Sequence, residues 1–186
     1  MKLLLGFIGE INSGKDTAAE YLVNKYGAYH IRQSHILDEI LGVLGIEVSR
    51  RNEIDLGMAL RSAFGADTVG KAVEKRLKQS DADIRVVQGI RFQEEFDIIQ
   101  GMGAKMVYIT APSDMRYERS NKRREKSDDG QQTFTEFTAT EKTEPTEVGI
   151  PMLGAQADVR ICNDGDLDHL YQQLEQLIHG KSNEKN

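Results

Sequence analysis

A lysine preceded by glycine, in a loop between an apolar run and a helical pattern, has the residue types and spacing to hold phosphate. In this chain the loop is Gly9-Glu10-Ile11-Asn12-Ser13-Gly14-Lys15-Asp16-Thr17. Such a loop turns backbone N–H groups inward onto phosphate oxygens. The helix start that follows adds unpaired N–H groups and about half a positive charge. Gly9, Asn12, Ser13 and Gly14 shape the cradle, and Lys15 places an ammonium on the outer phosphates. The pattern G-x-x-x-x-G-K-[ST] asks for a hydroxyl after the lysine. Here that position is Asp16, with Thr17 next. Asp16 offers a carboxylate to a divalent metal; Thr17 offers a hydroxyl to the metal or to an inner phosphate. The competing explanation is a strand-to-helix turn whose glycines serve geometry alone.

Phosphoryl transfer asks for positioned phosphates, a metal and cations around the moving charge. Arg116, Arg119, Lys122, Arg123 and Arg124 crowd one stretch, and Arg116, Arg119 and Arg123 share a helical face. A solvated basic face is the alternative. Arg91 follows an apolar run and is a second cationic candidate, and Arg61 is a candidate for an acceptor phosphate. Arg50 and Arg51 read as surface residues. Ser34-His35 ends the second strand, where His35 either takes a hydroxyl proton near neutral pH or simply starts a helix. His30, His169 and His179 show no partner pattern, and Cys162 reads as buried filler.

The elements that must position these groups alternate between strand and helix. Strands are predicted over residues 2–8, 28–31, 83–89, 104–110 and 157–162, with helical patterns between and after them. Ser34, Ser113 or Asp114, and Asp166 read as helix caps, and Gly27 as a C-cap. The pattern predicts a mostly parallel sheet with helices on both faces. Ligands in such sheets bind beyond the strand C-terminal ends. The loops at Gly9, Ser34, Gln88-Gly89-Ile90-Arg91, Ala111-Pro112-Ser113 and Asn163-Asp164-Gly165 therefore converge on one crevice.

Composition bounds the class. The chain has 186 residues, 39% hydrophobic and 29% charged, with net charge −6 and one cysteine; mean hydropathy is −0.50. That length predicts one domain. The acidic balance argues against a nucleic-acid polymer or a membrane surface as partner. A single cysteine gives no internal disulfide framework and fits a reducing, cytoplasmic setting. The apolar run after Met1-Lys2 reads as a buried first strand rather than a leader peptide.

Over residues 2–178 the chain resembles the P-loop small-molecule kinases of the nucleoside/deoxynucleoside monophosphate kinase and dephospho-CoA kinase type. It is especially similar to an uncharacterised archaeal and bacterial branch. The landmarks are Gly14-Lys15-Asp16-Thr17, the helix start at Ser34, Leu60-Arg61, Gly89-Ile90-Arg91, Arg116-x-x-Arg119, and Ala157-Asp158 leading to Asn163-Asp164-Gly165. The resemblance implies a three-layer α/β P-loop NTPase fold with about five parallel strands. It also implies a helical acceptor-binding insert over 34–78 and a lid over 116–145. It implies ATP and Mg²⁺, with Asp16 and Thr17 at the metal. Lys15, Arg91, Arg116 and Arg119 serve the transferring phosphoryl group. The purine packs near Asn163 and a lid arginine, Arg123 or Arg124. Ser34, His35, Arg61 and Arg91 face the acceptor, a nucleoside or deoxynucleoside monophosphate by default and dephospho-CoA as the alternative. Relatives usually carry an aspartate where this chain has His35, and another where it has Gln88. A nucleotide-binding regulatory module that does not turn over is the rival class.

Overall fold

The computed structural model describes residues 2–122 and 132–180. The elements run β1 (Leu3–Ile8), α1 (Lys15–Tyr26), β2 (Tyr29–Arg32), α2 (Gln33–Val43), α3 (Arg50–Phe64), α4 (Thr68–Gln79), β3 (Ile84–Gln88), α5 (Gln93–Gly101), β4 (Lys105–Thr110), α6 (Ser113–Lys122), α7 (Phe134–Thr143), α8 (Ile150–Ala155), β5 (Val159–Cys162) and α9 (Leu167–His179). The strands form one five-stranded sheet in the order β2-β3-β1-β4-β5, and every pairing is parallel. The expected three-layer α/β architecture is therefore present.

Strand periodicity explains the layers. Side chains alternate across a strand, so Leu4 and Ile8 of β1 face one core while Leu5 and Phe7 face the other. The first core adds Val73 and Leu77 of α4, Phe96 and Ile99 of α5, and Ile150 and Leu153 of α8. The second adds Ala18, Ala19 and Leu22 of α1 and Leu170 and Leu174 of α9. A strand covered on both faces reads as a continuous apolar run, which is the pattern of β1.

Two local expectations are corrected. Ser34 does not cap α2: the helix begins at Gln33, and Arg32 is the N-cap. The His35 ring, at the third position of the helix, accepts from the Arg32 backbone N–H at 3.4 Å, the reciprocal half of a capping box. Cys162 is exposed, not buried. It ends β5, the edge strand of the sheet, where alternation puts it on the exposed face of Arg160, opposite the buried Ile161. Other caps follow the rules: Ser49 accepts from Asn52 N–H, Asp166 from His169 N–H, and Thr133 pairs reciprocally with Glu136.

Candidate phosphate-binding site and acceptor cavity

The loop after β1 is shaped by three left-handed residues, Gly14 (φ 102°), Asn12 (φ 59°) and Gly9 (φ 155°). A Cβ on Gly9 would run into the Ile109 carbonyl, and one on Gly14 into the Asn163 amide. Glycine is needed at both points for close approach as well as conformation. The Asn163 side chain donates to the Ser13 carbonyl at 2.9 Å. Arg119 donates to the carbonyls of Asn12 at 3.4 Å and Asn163 at 2.9 Å. The loop is thus braced by the β5–α9 turn and by α6. Lys15 is curled inward, its Nζ donating to the carbonyls of Gly9 (2.8 Å) and Glu10 (2.7 Å) and lying 3.4 Å from Ser13 Oγ. Burial, helped by the nearby Arg91 guanidinium, lowers its pKa to about 7, against the opposing pull of Asp16, Glu147 and Glu10. The loop therefore offers a concave, amide-lined cradle with a desolvated amine at its mouth, which suits an anion.

Beside this lysine lies Asp16. Strand register sets its neighbours: Gln88 of β3 pairs with Phe7 on one side and Arg32 of β2 on the other. Gln88 donates its side-chain Nε2–H to Asp16 Oδ1, and Arg32 Nη1 is 3.7 Å from the same oxygen. Among the described residues no cluster of three or more His, Cys, Asp or Glu side chains could cage a metal. One carboxylate beside a phosphate cradle still fits Mg²⁺, which keeps several waters and is commonly held by one or two carboxylates plus substrate phosphates. Asp16 and the Thr17 hydroxyl are the residues that would hold it.

A cavity of about 460 Å³ opens from this point, a volume in the range of small-molecule sites. Lys15, Asp16 and Gln88 lie at its phosphate end, and α2, α3, the start of α5 and α7 supply the other walls. Leu37, Ile54, Met58 and Phe92 give it apolar surface. Arg61 lies 3.7 Å over the Phe92 ring and donates to the Ala66 carbonyl and to Glu94 at 3.1 Å. Arg91 donates to Glu147 at 2.8 Å and to the Thr146 carbonyl at 3.4 Å. Ser34 also lines the wall. Arg50 and Arg51, read as surface residues, stand on the cavity rim, with Arg51 paired to Asp55 at 2.9 Å.

His35 is not among the lining residues. Its Nε2 lies 2.9 Å from Arg32 Nε, and burial followed by the Arg32 charge lowers its pKa. The ring packs edge-on against His30. His35 is therefore placed to orient Arg32, which lines the cavity. Arg116 is 6% exposed; it donates to the Ala111 carbonyl at 2.9 Å and forks onto Glu141 of α7. The structure makes it a strut between α6 and α7. Arg123 and Arg124 lie outside the described residues.

No protein-family model matches the chain. Its sequence is 23% identical over 181 residues to a UPF0200 protein of Methanothermobacter thermautotrophicus, spanning 95% of this chain and 89% of that one. It is 25% identical over 179 residues to a UPF0200 protein of Methanothrix thermoacetophila, spanning 94% and 96%. Shikimate kinase from Bacteroides thetaiotaomicron superposes with a TM-score of 0.66 at 14% identity, over 95% of this chain and 98% of that one. Shikimate kinase from Acinetobacter baumannii, solved with shikimate, gives 0.58 at 16% identity, over 96% and 93%. The fold is that of the P-loop kinases. At such identities the likeness concerns the P-loop kinase fold alone.

Several site residues carry no local motif. Gln33 is buried on the cavity wall, and its side-chain Nε2 and Oε1 have no hydrogen-bond partner among the described residues. Glu53, Glu141 and Glu147 also line the cavity. A signal for Gln33 existed in its place directly after β2. Glu147 sits in an irregular turn, and only the tertiary fold brings it to Arg91.

Proposed function

We propose that this protein is an ATP-dependent phosphotransferase acting on a small phosphate-bearing acceptor bound in the cavity beside the loop. The observation that carries the reading is the shared wall. Lys15 and Asp16 of the phosphate loop line the same cavity as Arg61 and Arg91, so donor and acceptor would meet at its phosphate end. Holding two reactants in one geometry supplies much of the catalysis in phosphoryl transfer.

In this reading the nucleotide phosphates draw Lys15 off the Gly9 and Glu10 carbonyls, and the loop N–H groups take the phosphate oxygens. Arg119, already against Asn12 and Asn163, holds the loop in shape from above. Arg91 turns from Glu147 toward the transferred group, and Arg61 meets an acceptor phosphate from its stacked position on Phe92. Asp16 and Thr17 would hold Mg²⁺, which would supply charge neutralisation on the phosphates. Asn163 borders the purine.

Two acceptor chemistries fit. A nucleoside or deoxynucleoside monophosphate takes the phosphoryl group on a phosphate oxygen and relies on Arg61 and Arg91. Dephospho-CoA takes it on a ribose hydroxyl, an option favoured by the carboxamides beside Asp16. An ADP-release assay against nucleoside monophosphates, deoxynucleotides and dephospho-CoA tests the class. Acceptor-dependent release that Lys15→Ala reduces by at least 100-fold is expected. Tight ATP binding with no response to any acceptor would instead leave a nucleotide-binding regulatory module. Asp16→Ala is expected to weaken the Mg²⁺ dependence of nucleotide binding; an unchanged titration, with Thr17→Ala abolishing it, would move the metal to Thr17.

A further inference from the structure

Two buried carboxamides stand where the cavity meets the phosphate loop. Gln88 is 2% exposed and Gln33 5%. Both line the cavity. They are neighbours: a Cβ built on Gly89, the residue after Gln88, lies 3.6 Å from Gln33 Cβ and 3.5 Å from Gln33 N. Gln88 Oε1 and both polar atoms of Gln33 have no hydrogen-bond partner among the described residues. A buried polar atom left unpaired costs about 1–3 kcal/mol, and such atoms are few in native proteins. Three such atoms on one cavity wall are open to bonds from a ligand.

The orientation of Gln88 is settled by chemistry. An ionised carboxylate only accepts hydrogen bonds, so the half of the amide that meets Asp16 Oδ1 must be the N–H end. The end left for a ligand is a carbonyl, which requires a donor. A phosphate dianion has no hydrogen to give, whereas a hydroxyl both donates and accepts. Gln33, with two N–H hydrogens and a carbonyl, can satisfy the rest of the same hydroxyl.

We infer that the group held at Gln33 and Gln88 is an alcohol, so that the acceptor is a phosphate-bearing molecule phosphorylated on carbon-bound oxygen. This rests on the phosphotransferase reading and decides between its two acceptor chemistries. The hydroxyl oxygen forms the new bond to the γ-phosphorus. The bond from that phosphorus to the β–γ bridging oxygen breaks, and ADP leaves with the electron pair. The hydroxyl proton passes to a non-bridging oxygen of the transferred group and on to water, so one proton is released per turnover. Neither glutamine takes it. In a loose transition state the nucleophile needs positioning more than deprotonation, and two neutral amides supply that. Arg61 then holds the acceptor's own phosphate away from the reacting end, while Arg91 stays with the transferred group.

The test is the bond that is made. The full chain is incubated with ATP, Mg²⁺ and acceptor pools of nucleoside monophosphates, deoxynucleotides and dephospho-CoA, and the products are read by ³¹P NMR. A new phosphomonoester resonance, with no new anhydride, is the expected result. A product carrying a new P–O–P linkage overturns the inference and leaves the kinase reading standing. No transfer to any pool, with ATP binding intact, overturns the kinase reading itself. Gln33→Met and Gln88→Met are each expected to lower kcat/KM for the acceptor 10- to 100-fold. ATP affinity measured by calorimetry should stay within twofold for Gln33→Met. Loss of ATP affinity equal to the loss of acceptor turnover in that variant would make Gln33 a structural residue and remove it from the proposal.

Discussion

Lys15 is the residue whose chemistry depends most on its surroundings. Its pKa in the free protein is about 7 because burial penalises the charged amine. At pH 8 only about a tenth of the molecules would carry that charge. Bound phosphates favour the ammonium and pull the pKa back up. Nucleotide binding at pH 8 is therefore expected to take up close to one proton, and affinity should fall as pH rises above 7. Calorimetry in two buffers of different ionisation enthalpy measures this directly. A proton count of zero in the wild type would refute it, and Lys15→Arg should remove the uptake because a guanidinium does not titrate there. Folding shows the same shift with a fixed sign. The unfolded lysine titrates near 10.5, so between pH 7 and 10.5 the unfolded chain binds more protons. This group's contribution makes stability rise with pH across that window.

Among the elements, α7 is the one held by few and specific contacts. Phe137 is its one buried hydrophobic residue, and Tyr117 of α6 packs on that ring and on Phe134. The Arg116–Glu141 fork joins α7 to α6, and the Arg91–Glu147 pair fastens the turn that follows it. Cutting a buried pair on one side strands the other charge, at a cost on the order of 3 kcal/mol. Arg116→Ala is expected to lower hydrogen-exchange protection of α7 by roughly 100-fold while β1 and β4 keep theirs. Equal loss of protection across the sheet would show that Arg116 supports the whole fold. The helical character of α7 was legible from the spacing of Phe134 and Phe137. Its docking was not, because Glu141 and Glu147 look like ordinary surface acids until the fold sets them against arginines.

For the molecule as a whole, stability resides in the two apolar layers on either side of β1. Leu5 is fully buried in the second layer. Leu5→Ala is expected to lower unfolding free energy by about 2–5 kcal/mol, read as a fall in the urea midpoint at constant slope. A shift below about 1 kcal/mol would mean that the layer closes over the missing atoms. Ligand adds to the same balance. ATP at 100 times its dissociation constant should raise unfolding free energy by about 2.7 kcal/mol, and Lys15→Ala should cancel most of that gain without lowering the ligand-free midpoint.

The sequence alone determined the strand–helix alternation, the five parallel strands and the phosphate loop, because these rest on local periodicity and on glycine conformations within nine residues. It also singled out Arg91, after an apolar run, and Arg61, and both line the cavity. Only the tertiary structure decided which partners those groups meet. Asp16 and Gln88, 72 residues apart in the chain, were separate departures from an expected pattern until strand register joined them. The carboxylate stands on the helix and the amide on the strand. His35 contacts Arg32 and does not line the cavity, whereas Gln33, without a motif of its own, does. Such assignments depend on side chains brought together from distant segments, which no spacing along one segment encodes.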